Sequence, residues 1–193
     1  MKLKVIVTVL LFALSQSGFA QTLPSKIRGY KVYTANVSVR NTGELGARNA
    51  DREALLKIGK PEIAEVGFAG ITFEIGADIG ANIQSGRIDF LTFNDFRING
   101  LSVVIEEYKH EFSLKKGETV SMPKPVRVTI GTVNMARAAR RELIESKKEW
   151  LVTGTVFIFG RFKKFGFSFK RVIPVKIDLK LDNPLTASGK SGR

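Results

Sequence analysis

The side chains that could carry chemistry are few. The chain has one histidine and no cysteine. His110 lies in "EEYKHEF", and a zinc or iron centre built around it would need carboxylates alone to complete its ligand set. Tyr108, Phe112 and Leu114 stand at alternate positions around it, which predicts an inward or edge histidine in a strand. Adjacent Glu106 and Glu107 then point to opposite faces and do not converge on a substrate. "SLKK" (Ser113–Lys116) has Ser-x-x-Lys spacing but lacks the companion Ser-Asp-Asn and Lys-Thr-Gly elements. "SGKS" near the end contains Gly-Lys-Ser, with Pro184 where the first P-loop glycine belongs. Asn36 in "NVS" fits a glycosylation sequon. These patterns point away from catalysis, and neither a metal nor a cofactor is expected.

Charge is the stronger signal. The formal net charge is +13, so the partners to expect are anionic: a membrane surface, lipid or an acidic polysaccharide. The candidate contacts are Lys163, Lys164, Lys170, Lys176 and Lys180, all in or beside "FIFGRFKKFGFSFKRVIPVKI" (Phe157–Ile177). Part of that stretch, "KFGFSFKRV", faintly echoes an RNA-binding pattern of basic, glycine and aromatic residues. The parity argues otherwise. Phe165, Phe167, Phe169, Ile173, Val175, Ile177, Leu179 and Leu181 are odd-numbered, whereas Lys170, Lys176, Asp178, Lys180 and Asp182 are even. In a strand the rings then share a face with aliphatic residues and the lysines share the other. A base-stacking platform would mix the two on one exposed face. The expectation is a hairpin with its rings inward and its lysines in water, and nucleic acid is disfavoured as a partner.

The elements that position these residues follow the same rhythm. Lys2 and Lys4, the apolar run "VIVTVLLFAL" and the small residues Gly18 and Ala20 read as a cleaved export signal over residues 1–20. Ten apolar residues are too few for a bilayer, which takes about 20. The expected location is therefore periplasmic or extracellular, without a transmembrane segment after cleavage. Removing residues 1–20 leaves 173 and a charge of +11, enough chain for one domain whose core holds without disulfides.

Residues 21–60 read as an N-terminal extension with one or two strands and the polar loop "RNTGELGARNADRE". In "ITFEIGADIGANI" apolar residues occupy every odd position from Ile71 to Ile83, a strand with one buried face. "RIDFLTF", "LSVVIEEYKHEFSL" and "PVRVTIG" continue the β pattern. "TVNMARAARRELIESKKEW" departs from it: Met135, Ala138, Ala139 and Leu143 recur at helical spacing, with Thr132 or Asn134 as N-cap. "LVTGTVFIFG" is a strand, and "RFKKFG" connects it to the last one. Residues 61–184 form the domain, and 185–193 are a polar tail.

This order of elements, with "GITFEIGADIGANI", one short helix, "EWLVTGTVFIFG" and "FKRVIPVKIDLKL", resembles the late embryogenesis abundant type-2 (water-stress and hypersensitive-response, WHy) family over Pro61–Pro184. "ANIQSG" stands where that family carries Asn-Pro-Asn. The resemblance implies a mainly β fold, an antiparallel immunoglobulin- or fibronectin-like sandwich of about seven or more strands with one short helix. It also implies a non-enzymatic role in desiccation stress protection or as an envelope binding module. A carrier or binder of lipid or anionic polymer is the alternative.

Overall fold

A computed structural model of the chain describes residues 23–41, 54–81, 84–139 and 148–184. The expected export signal, most of the polar loop, the second half of the expected helix and the tail lie outside the described residues. In chain order the strands begin with β1 (Lys26–Ile27), β2 (Tyr30–Val32), β3 (Val37–Asn41), β4 (Ala54–Ile58) and β5 (Glu62–Gly67). Next come β6 (Gly70–Ile75), β7 (Ala77–Ala81), β8 (Gly86–Ile98), β9 (Leu101–Ser102) and β10 (Val104–Ile105). The series ends with β11 (Phe112–Leu114), β12 (Thr119–Ser121), β13 (Val126–Gly131), β14 (Glu149–Lys164) and β15 (Phe167–Asp182). The helix α1 (Thr132–Ala139) follows β13.

These strands make two layers, so the expected β-sandwich architecture is present. One layer is a single sheet in the order β1-β2-β15-β14-β8-β11, with β9 folded back on β8. The other holds two four-stranded sheets, β10-β13-β6-β5 and β12-β7-β4-β3. It is best seen as three long strands, each interrupted once: β4 and β5 at Gly59–Pro61, β6 and β7 at Gly76, β12 and β13 at Met122–Pro125. Pro61, Pro123 and Pro125 cannot donate to a ladder, and the Gly59 N–H donates to the Gly76 carbonyl at 2.8 Å. A Cβ at position 59 would meet that oxygen at 3.0 Å, so glycine lets the two interruptions lie side by side.

The alternation in "ITFEIGADIGANI" is realised here. Phe73, Ile79 and Ala81 are buried against the first layer, and the Phe73 ring meets Trp150 edge-on at 5.0 Å.

Four corrections concern the local readings. Residues 26–58 carry four strands, and they join both layers. β2 pairs in parallel with β15, and β3 pairs in parallel with β4. His110 is exposed and lies outside any strand, its ring 5.2 Å from that of Tyr108. Asn134 does not cap α1, because the helix begins at Thr132 and Asn134 lies inside its first turn, where its side chain donates to the Ser102 carbonyl at 2.8 Å. Finally, Phe165 and Gly166 alone make the β14–β15 turn; Arg161–Lys164 remain in the strand.

The largest correction concerns the rings. The predicted parity holds from Ile173 to Leu181: Val175, Ile177 and Leu181 are buried, while Lys176, Asp178 and Lys180 are exposed. It fails at Phe165, Phe167 and Phe169, which are 87%, 70% and 42% exposed. Their cover runs out. The β8 ladder ends with Gly86 opposite Phe162, and β2 meets β15 only at Arg171 and Val172. The last turn of the β14–β15 ribbon overhangs both neighbours.

Candidate functional site

The overhang is built from two long strands and a tight turn. β14 and β15 pair without a register shift from Glu149↔Asp182 to Lys164↔Phe167. Phe165 and Gly166 have φ of 51° and 80°, the left-handed pair of a type I′ turn, whose twist suits a two-residue hairpin. Paired residues share a face. Phe162 opposite Phe169 continues the core-facing side, and Lys163 opposite Ser168 and Arg161 opposite Lys170 continue the outer side. The tip is therefore partly amphipathic: Phe167 and Phe169 stand on one side, with Lys164 and Arg171 sharing it by ladder position, and Arg161, Lys163 and Lys170 stand on the other.

The rings become more exposed toward the turn. Phe162 is buried; Phe169 is held by Arg171, whose guanidinium carbon lies 5.4 Å from its ring centre and 4.4 Å from that of Tyr33. Phe167 and Phe165 stand beyond that clasp. The charge is one-sided as well, since residues 150–177 contain six Lys and Arg and no Asp or Glu.

The five lysines do not form one patch. Lys163, Lys170, Lys176 and Lys180 lie on the outer face, but ten residues of strand separate Lys170 from Lys180, about 33 Å at ~3.3 Å per residue. Lys180 is paired with Glu149 at 3.3 Å, and Asp182 beside it with Lys60 at 2.9 Å. Only Lys163 and Lys170 belong to the tip by described side chains. Lys164 stands opposite Phe167 in the ladder, and its side chain lies outside the described residues. Among the described residues no carboxylate pairs with Lys163 or Lys170; the Lys170 ammonium sits 5.8 Å from the Tyr30 ring centre.

Behind the tip a polar cluster fixes the outer face. A bulge in β8 between Ile88 and Phe90 turns Asp89 outward. Its buried carboxylate accepts from the Tyr30 hydroxyl at 2.9 Å and from Arg87 Nε at 3.3 Å, and pairs with Arg161 at 3.5 Å. The same bulge lets Phe90 stack on Phe159 at 4.4 Å, with Tyr30 edge-on to both. Burial, then the hydrogen bond to Asp89, pushes the Tyr30 phenol above its ordinary value of 10.0. Arg161 is thus committed to the fold, which leaves Lys163 and Lys170 as the open cations.

Two other spaces were candidates. An open groove of about 400 Å³ holds Glu106, Glu107, His110, Lys124 and Arg127. Two of its three carboxylates are already matched, Glu107 by Arg28 at 2.9 Å and Glu74 by Arg127 at 3.9 Å. Among the described residues no three His, Asp or Glu side chains converge as metal ligands.

Between the layers lies an apolar cavity of about 80 Å³, lined by Ile58, Ile75, Phe93, Phe96, Val126 and Ile177 among others. That is about half the ~150 Å³ that admits benzene into a protein core, too little for an acyl chain.

The tip residues that parity hid are Phe165, Phe167 and Phe169. The signal that could have exposed them is the absence of any carboxylate across residues 150–177 beside a bulky residue in a tight turn.

No protein-family profile matches the chain, and no curated protein matches it. A crystal structure of a protein from Archaeoglobus fulgidus is similar to it at 10% identity, covering 65% of this chain and 95% of that one, with a TM-score of 0.36. Likeness of that degree carries no argument about function.

Proposed function

We propose that the chain is an exported, non-enzymatic β-sandwich that binds anionic surfaces of the cell envelope. The observation that carries this reading is the overhanging β14–β15 tip, where Lys163 and Lys170 stand without a carboxylate partner among the described residues. Exposed cations of this kind raise local anion concentration and encounter rate, and their effect is screened within about 8–10 Å at physiological salt. The export signal expected from residues 1–20 supports this reading, since export would bring such a surface to envelope polymers and lipid head groups. A folded, non-catalytic module at the envelope also agrees with the family resemblance, including a part in stress protection.

The carrier alternative has less behind it. It would need an interior larger than the roughly 80 Å³ between the layers.

The test is binding of the purified protein to an anionic polysaccharide and to phosphatidylglycerol vesicles across a salt series. Affinity should fall steeply as salt rises, and Lys163→Gln with Lys170→Gln should weaken both interactions. Lys176→Gln with Lys180→Gln should change them less, since those residues are distant from the tip and Lys180 is paired. Binding that ignores salt, or no binding at all, would refute the reading.

A further inference from the structure

We infer that the β14–β15 tip is a membrane-inserting anchor: Phe165, Phe167 and Phe169 enter the acyl boundary of an anionic bilayer while Lys163 and Lys170 stay at its head groups. This rests on the anionic-surface reading and narrows its ligand to a bilayer. A soluble polyanion offers nothing to bury three rings. Yet the rings are what distinguish this end of the molecule, because the surrounding cations alone would satisfy a polymer.

Three observations converge. The first is reach. From Phe162, the last covered ring, to Phe165 the ribbon extends about 10 Å at ~3.3 Å per residue. Interfacial elements sink their apolar side ~5–10 Å into the boundary between head groups and acyl chains, so the overhang has the needed length.

The second is segregation. Phe167 and Phe169 continue the core-facing side, with Lys164 and Arg171 at its margin by ladder position, and Lys163 and Lys170 continue the outer side. A tilted ribbon therefore places the rings in hydrocarbon and lets the long lysine stems carry their charge to the head groups.

The third is the turn. A type I′ turn prefers Asn-Gly, since both central residues take positive φ, and a bulky residue there is a conformational outlier. Phe165 holds φ 51° and is 87% exposed. A ring kept in that strained, solvent-facing place points to a ligand outside the protein.

Charge decides among possible occupants. A second copy meeting the ring side by two-fold symmetry would bring Lys164 and Arg171, which share that side by ladder position, toward their own copies. A bilayer containing anionic lipid complements both the charge and the rings. The opposite end of the molecule provides the internal contrast. Phe68 is fully exposed at the β5–β6 turn, but the nearby strand carries Glu62 and Glu65, and Glu65 is paired with Arg127 at 3.0 Å. One ring among carboxylates does not make the same device.

The experiment uses the purified protein, vesicles with and without phosphatidylglycerol, and a soluble anionic polysaccharide. Each fully buried ring is worth roughly tenfold in partitioning, so Phe165→Ser with Phe167→Ser should reduce anionic-vesicle binding about 100-fold. Polysaccharide affinity should remain within about twofold. Phe68→Ser should change neither, and unchanged denaturation midpoints confirm that the variants are folded. Because the chain has no cysteine, Ser168→Cys and Phe68→Cys each accept one environment-sensitive dye. The dye at 168, on the head-group side of the tip, should shift to the blue on phosphatidylglycerol vesicles; the dye at 68 should not.

Vesicle binding undiminished by loss of the rings, or an unshifted dye at 168, overturns insertion while the electrostatic reading survives. Binding of single-stranded DNA that collapses with the rings, without vesicle binding, overturns it in favour of base stacking. Self-association without vesicles that the ring substitutions abolish overturns it in favour of a second copy. If the unmodified protein binds neither vesicle nor polysaccharide, the functional reading fails together with the insertion.

Discussion

The β14–β15 ribbon has two ends with one sequence pattern and opposite fates. At its root Trp150 and Leu181 are buried, and Trp150 meets Phe73 of the facing layer. At its tip Phe167 and Phe169 occupy the same parity, but Phe167 is exposed and Phe169 is covered only in part, by Arg171. Alternation assigns side chains to faces. It does not say whether anything covers a face, which depends on where other strands stop.

The most severe way to break this comparison is to remove a ring at each end. Trp150→Ala should lower unfolding free energy by about 3–5 kcal/mol through lost burial and the cavity left behind. Phe167→Ala should stay within about 0.5 kcal/mol, as changes at exposed positions do. Chemical denaturation reads both, and equal losses would mean the tip is covered.

Glycines sharpen it at the next level. A Cβ at Gly154, near the root, would stand 2.6 Å from the Phe96 ring, so Gly154→Ala should cost about 1–3 kcal/mol by overpacking. Gly166 at the tip has nothing within 4 Å of that position, and Gly166→Ala should cost only the ~1 kcal/mol of its left-handed backbone. The tip also allows a gain. Phe165→Asn relieves a bulky residue at φ 51° and should raise stability by up to about 1 kcal/mol, while lowering vesicle binding in the same assays. A stability rise with undiminished membrane affinity would separate the turn from the anchor.

The smallest effect lies between the two ends, at Tyr30. Its phenol is pushed above 10.0, so the folded state holds that proton more tightly than the unfolded chain. The Tyr30 contribution is fully present below pH 10 and is lost as pH rises through the higher folded value. Tyr30→Phe should remove this part of the alkaline decline, visible as a flatter profile of denaturation midpoint above pH 10.

Much of the fold was legible. The run from Ile71 to Ala81 and the run from Ile173 to Leu181 alternate because each has one covered face. Less legible were the pairings set by distant chain. β3 lies parallel to β4 although 12 residues separate them in sequence, and no local pattern encodes that partner. The bulge at Asp89 was hidden for a related reason. It inverts parity midway through "RIDFLTF", sending Ile88 inward and Phe90 outward, and its stabilising partners Tyr30 and Arg161 come from elsewhere in the chain. Of the site, the lysines were found and the rings were assigned to the wrong environment. Both follow from reading a face without knowing its cover.

The interruptions at Gly59, Gly76 and Met122–Pro125 have a mechanical consequence. The first layer contains an unbroken beam, two 16-residue strands about 50 Å long at ~3.3 Å per residue. The second layer is two plates meeting along a crease, and the 80 Å³ void lies against that crease, lined by Ile75, Gly76, Ala77 and Met122. A pull on the tip loads both strands of the beam equally and is resisted by the ladder from β14 to β8, whose bonds are loaded together in shear, the stiff direction. A sideways push is absorbed differently: the plates tilt about the crease into the spare volume, and no rung of the beam has to break. A molecule tethered at its far end would therefore hold firm lengthwise and yield to bending.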